Sequence, residues 1–172
     1  MEQDAGVTNL AFGDPLLPRA RGDRAVVDVG ALYRAHRVRL TRLATAITLD
    51  RSLAEEVVHD AFTGLHERAA VVSNPEAYLQ RSVVNISIRV LRRRSVANRH
   101  RLDPPPITNA PELDEAWNAV VRLPPHQRAV VALRYWDDLS EADIARVLGV
   151  PAGTVKSRLH RAIRRLKEEL KP

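Results

Sequence analysis

The sequence predicts an all-α fold of two small helical domains joined by a proline-rich linker. Three observations carry that prediction. Apolar residues recur at helical spacing in each long segment, and none shows the β-branched alternation of a sheet. Hydrophobic residues make up 45% of the 172-residue chain but aromatic ones only 4%, which suits Ala/Leu/Val-rich helices. The apolar period lapses around Pro104, Pro105, Pro106 and Pro111, where an extended connector is expected. The layout that follows is an N-terminal extension over 1–25, a first domain over 26–94, a linker over 95–111 and a second domain over 112–172.

Composition narrows the function. A net charge of +6 and an isoelectric point near 10.4 call for a polyanionic partner, and nucleic acid is the simplest. An anionic membrane surface would fit the charge equally. No apolar run approaches the length of a span, however, and the N-terminus lacks a signal-peptide core. No membrane insertion and a cytoplasmic location are expected. The absence of cysteine excludes disulfides, cysteine-ligated zinc and thiol catalysis.

Residues 1–25 hold scattered Gly and Pro without a sustained period, as a disordered extension would. Asp28 can cap a first helix running to about Thr48, with Leu32, His36, Leu40, Leu43 and Ile47 inward. Ser52 and Glu55 suggest a capping box for the second helix, whose buried side is Leu53, Val57, Ala61, Phe62 and Leu65. Its opposite arc carries Glu55, Glu56, His59, Asp60 and Thr63. Such an acidic stripe would repel phosphate but could dock on a basic protein; a merely solvated face is the plain alternative.

Glu56 and His59 also have the Glu-x-x-His spacing of di-iron bundles. That chemistry needs a second such pair and further inward carboxylates, which the chain lacks. Neither a metal nor a cofactor is expected.

Asn74-Pro75 starts a third helix that buries Leu79, Val83, Ile86 and Val90. Tyr78, Arg81, Asn85, Arg89 and Arg92 lie on its other side. Six arginines and no acid between residues 89 and 101 make a phosphate-binding strip, and Tyr78 adds a stacking surface. After the linker, Leu113, Trp117, Val120 and Val121 mark one helix. Val130, Val131 and Leu133 mark the next, with Trp117 and Trp136 expected as core anchors.

Ser140 and Asp143 cap a short helix that ends at Gly149. Pro151 opens another, with an apolar stripe through Val155, Leu159, Ala162, Leu166 and Leu170. Its opposite face carries Ser157, His160, Arg161 and Arg164, flanked by Thr154 and Lys156. Residues 152–172 hold seven Lys/Arg against two Glu. Two helices, a tight turn and a cationic second helix are what major-groove reading requires.

The order of parts is similar to that of bacterial RNA polymerase sigma factors of the extracytoplasmic-function group, the compact sigma-70 type with regions 2 and 4 only. SLAEEVVHDAF and PEAYLQRSVVNISIRVLRRR resemble region 2; LPPHQRAVVALRYWDDLS and GTVKSRLHRAIRRL resemble region 4. The likeness is strongest to the actinobacterial SigE-type subset. Glu56 and His59 stand where Asp and Gln are frequent, and Tyr78 where Trp is common.

The resemblance implies a sigma factor that binds core RNA polymerase and reads the −35 and −10 promoter elements, with no catalysis of its own. Glu55, Glu56, His59 and Asp60 would dock on the polymerase. Asn74, Tyr78, Arg81, Asn85, Arg89 and Arg92, with the loop from Ala70, would take the −10 element as it melts. Lys156, Ser157 and His160 would read the −35 groove, with Thr154 beside them and Arg161 and Arg164 holding phosphates. An anti-sigma partner stays open. A stand-alone helix-turn-helix regulator is the alternative, which leaves the acidic helix without a task.

Overall fold

The computed structural model describes residues 27–97 and 115–171, and within these all regular structure is helical. The N-terminal extension and the proline segment expected as a linker lie outside the described residues, as does Leu113. The first half contains α1 (Val29–Thr48), α2 (Arg51–Arg68) and α3 (Pro75–Ala97). The second contains α4 (Glu115–Val121), α5 (Pro125–Tyr135), α6 (Glu141–Leu148) and α7 (Ala152–Glu169).

Local chemistry sets most helix boundaries. Asp28 Oδ1 accepts from the Ala31 amide at 2.8 Å and starts α1. The cap of α2 is Asp50, not the Ser52–Glu55 box the sequence suggests: Asp50 Oδ1 accepts from the Leu53 amide at 3.0 Å. Glu55 pairs instead with Arg51, one turn back. Asn74 Oδ1 accepts from the Ala77 amide at 3.0 Å and starts α3. That helix continues to Ala97, beyond the residue where the linker was expected to begin.

Two cores form. One gathers Leu40, Ala44, Val57, Phe62, Leu65 and Val83 from α1, α2 and α3. The other joins Val130, Leu133, Ile144, Val155 and Leu159 with Leu43, Ala46, Ile47 and Val84 from the first half. The two halves, expected as separate domains on an extended connector, therefore pack against each other. α1 lies on α5, and α3 lies on both α5 and α6. α3 carries a second apolar stripe besides the expected one: Val84, Ile88 and Leu91 face the second half while Leu79 and Val83 face the first.

Polar contacts reinforce this seam. Arg128 is 6% exposed, and its guanidinium donates to Ile47 O at 2.7 Å, Val121 O at 3.1 Å and Leu123 O at 2.6 Å. The carbonyls of Ile47 and Val121 lie at the C-terminal ends of α1 and α4, where a cation is favoured. Burial pushes the Arg128 pKa down to about 10, so it remains charged at neutral pH. Asp137, whose side chain is 5% exposed, accepts from Gln80 at 2.7 Å and pairs with Arg39 at 2.9 Å.

Candidate nucleic-acid interface

The helix-turn-helix is built by its caps. Ser140 Oγ accepts from the Asp143 amide at 3.1 Å, and its hydroxyl, then the charge of Arg146, holds the Asp143 carboxyl below its usual pKa. Gly149 closes α6 with φ at 64°, a left-handed conformation that side chains resist. Pro151 then leads into α7. Val155, Leu159 and Ala162 are buried, while Leu166 is half-buried and Leu170 lies at the surface.

This places the basic face of α7 outward. Lys156, His160, Arg161 and Arg164 are exposed; Thr154 and Ser157 are half-buried beside them. Ser157 donates to Thr154 O at 3.0 Å and accepts from Arg161 at 3.3 Å, so part of its capacity is spent locally. A shallow hollow of about 520 Å³ gathers Lys156, Ser157, His160 and Arg161, with Glu141 and Gly153 on its rim. Arg164 is set apart, near Glu168 at 3.9 Å. The structure thus brings four of the six expected residues onto one surface.

On the first half, α3 presents a second surface. Asn85, Arg89 and Arg92 are exposed; Tyr78 and Arg81 are half-buried, and Asn74 sits exposed at the cap. Tyr78, Arg81, Asn85 and Arg89 line a cleft of about 570 Å³ between α2 and α3. Its other wall is Asp60, Gly64 and Arg68, which the sequence reading did not assign to nucleic acid. The signal available was spacing: these three recur every fourth residue along α2.

Glu55, Glu56, His59 and Asp60 are all exposed on α2, opposite buried Leu53, Val57 and Leu65. His59 points outward, and no metal-holding group of His, Asp and Glu occurs among the described residues. Trp136 departs from its expected place in the core. It is 50% exposed and stacks on half-buried Trp117, ring centroids 5.6 Å apart.

A capped helix-turn-helix with a cationic outer face on its second helix is the architecture of a protein that reads the major groove of DNA. Sigma-70 region 2 matches residues 32–96, and Sigma-70 region 4 matches residues 113–166. The chain is 32% identical to the RNA polymerase sigma-E factor of Streptomyces coelicolor over 154 residues, 84% of this chain and 87% of that one. It is 36% identical to the ECF RNA polymerase sigma factor SigM of Mycobacterium tuberculosis over 165 residues, 88% and 80% of the two chains. Among solved structures, its fold is similar to the sigma factor RpoE from Bartonella quintana, at TM-score 0.66 and 23% identity over 83% of this chain and 96% of that one.

The chain belongs to the sigma-70 family, in its extracytoplasmic-function group. It is a transcription initiation factor that binds core RNA polymerase and directs promoter recognition; the stand-alone regulator is not favoured. No helix of the described residues is long and apolar enough to cross a membrane.

Proposed function

We propose a division of labour in which α2 docks on core polymerase, α3 takes the −10 element and α7 reads the −35 element. The observation that carries it is the segregation of charge. Glu55, Glu56, His59 and Asp60 form an exposed arc on α2, while the outward faces of α3 and α7 are cationic. Like charge keeps the α2 arc off phosphate and suits it to a basic protein surface. Lys156, Ser157 and His160 read base edges, and Arg161 and Arg164 hold the backbone. Asn74, Tyr78, Arg81, Asn85, Arg89 and Arg92 bind the melted strand. The chain works in the cytoplasm and catalyses nothing itself; the polymerase does the chemistry.

The shared core adds a conformational step. About 25 base pairs separate the two elements, roughly 85 Å along a duplex. α3 packs on α6 and α6 on α7, so in the closed chain the two DNA-facing helices belong to one packed unit. One rigid closed chain cannot span that distance, so the seam at Arg128 and Asp137 opens when polymerase is bound. RpoE from Bartonella quintana is solved in complex with the anti-sigma factor NepR, and CnrH with the cytosolic domain of CnrY. A protein inhibitor of that kind would act here by holding the halves together.

Run-off transcription with purified core polymerase tests this reading. Wild type should initiate at a cognate promoter, and Glu56→Arg should lose polymerase binding while keeping its helical circular dichroism. Undiminished co-purification of Glu56→Arg with core enzyme counts against the docking face.

A further inference from the structure

We propose that α2 supplies the second wall of the −10 site, with Arg68 as a nucleic-acid contact and Gly64 and Arg68 together positioning Tyr78. This rests on the reading of α3 as the −10 helix, and it adds two residues from the helix otherwise assigned to polymerase docking.

The geometry is that of a built cradle. Tyr78 reaches across the cleft from α3, and a Cβ placed on Gly64 would stand 3.0 Å from its hydroxyl. Glycine at 64 therefore leaves room for the Tyr78 hydroxyl against α2, which a methyl group there would push aside by a few tenths of an ångström. Arg68 Nη1 makes long contacts at 3.4 Å to the Tyr78 hydroxyl and to Gly64 O, bracing the hydroxyl from the next turn. A base stacks well only on a ring held in one orientation, and the Arg68–Gly64 pair provides that.

The charges set which way a nucleotide enters. Arg68 is 57% exposed in its side chain and so can turn a guanidinium edge toward a phosphate. Arg89 is exposed on the facing wall. Asp60 lies on the same wall as Arg68, one turn beyond Gly64, and repels phosphate. The backbone therefore runs past Arg68 and Arg89 while the base turns inward toward Tyr78 and Asn85. The occupant is one unstacked nucleotide of single-stranded DNA, since a base inside a duplex has no free face to offer.

Full-length protein with core polymerase is titrated with forked promoter DNA, its −10 segment single-stranded and carrying 2-aminopurine at each position in turn. Arg68→Ala should weaken binding about ten-fold and lower the salt slope by about 0.7, the loss of one single-strand phosphate contact. Arg68→Lys should restore the slope but not the quenching of the stacked 2-aminopurine. Gly64→Ala should keep the helical circular dichroism yet reduce quenching at one position by shifting Tyr78. A folded protein with a weaker contact at one −10 position is an outcome that global structural damage does not produce. The proposal is overturned if Arg68→Ala keeps wild-type affinity and slope, or if Gly64→Ala leaves quenching intact at every position. Arg89→Ala run in parallel separates the two readings. If it weakens fork binding while the α2 variants do not, only the second wall falls; if it too binds normally, the assignment of α3 falls.

Discussion

The two basic helices, α3 and α7, are packed into the fold in different ways. α7 buries Val155, Leu159 and Ala162 toward α4, α5 and α6 and keeps a broad, exposed cationic face. α3 is gripped from two sides. Leu79 and Val83 bind it to α1 and α2, Val84, Ile88 and Leu91 bind it to the second half, and wholly buried Ser87 lies between. The Ser87 hydroxyl is satisfied along its own helix, donating to Val83 O at 2.8 Å. What remains on α3 is a narrow strip through Asn85, Arg89 and Arg92. On the proposed division of labour, a helix that reads duplex DNA needs a broad open face, whereas one that takes a melted strand gains from neighbours that shape a cleft, and α3 has them.

The sharpest way to break the comparison is to attack the grip on α3 and α1 from the second half. Arg128→Leu removes the donors to Ile47, Val121 and Leu123 and leaves buried carbonyls unpaired, which should cost about 3 kcal/mol. Urea denaturation measures that loss. Small-angle scattering should show a larger radius of gyration at concentrations where the protein stays folded. A compact Arg128→Leu protein of wild-type stability would mean the seam does not depend on this residue.

A gentler variant sharpens the same point. Asp137→Asn keeps a partner for Gln80 but loses the charge that pairs with Arg39, and should weaken closure by about 1–2 kcal/mol without unfolding either half. Cross-linking between α1 and the loop after α5 should become less efficient, while melting of the second core is unchanged.

On the α7 side, Lys156→Ala and His160→Ala should lose affinity in a manner that depends on the −35 sequence, by about 1–3 kcal/mol on the matched element. Arg164→Ala should weaken all sequences alike and reduce the salt slope by about one contact. Binding isotherms on matched and scrambled −35 duplexes distinguish these patterns; identical behaviour of the three variants dissolves the split between readers and holders.

The smallest effect concerns the joint between α2 and α3. Asp50 caps α2 and also pairs with Arg94 at 3.1 Å. Its hydrogen bond from the Leu53 amide, then the Arg94 contact, hold its pKa below 3.8. A depressed carboxylate stabilises the fold above its unfolded pKa. That contribution should fade as pH falls below about 4 and vanish once the lower folded value is passed. Asp50→Ala should cost about 1 kcal/mol at neutral pH and flatten this acid limb. Thermal melts between pH 3 and 7 give both numbers.

The sequence by itself determined the order of the helices in the described residues, the caps at Asp28, Asn74 and Ser140, the left-handed stop at Gly149 and the outward basic face of α7. These are local matters. A cap bonds three residues away, an amphipathic stripe repeats within one helix, and both are written in consecutive residues. The cap of α2 was misassigned because Asp50 and Ser52 offer competing acceptors two residues apart, and the backbone extended at Asp50 decides between them.

Only the tertiary structure decided that the two halves share a core. Val84, Ile88 and Leu91 form a legible stripe, but a second stripe on one helix does not say which distant surface covers it. Arg128 stands just before the apolar run Ala129–Leu133, and the Ile47 carbonyl, 81 residues away, was needed to explain its burial. Gly64 and Tyr78 belong to different helices, and their fit is a property of how α2 and α3 cross. Long-range packing joins residues that the chain order keeps apart, and no local period records it.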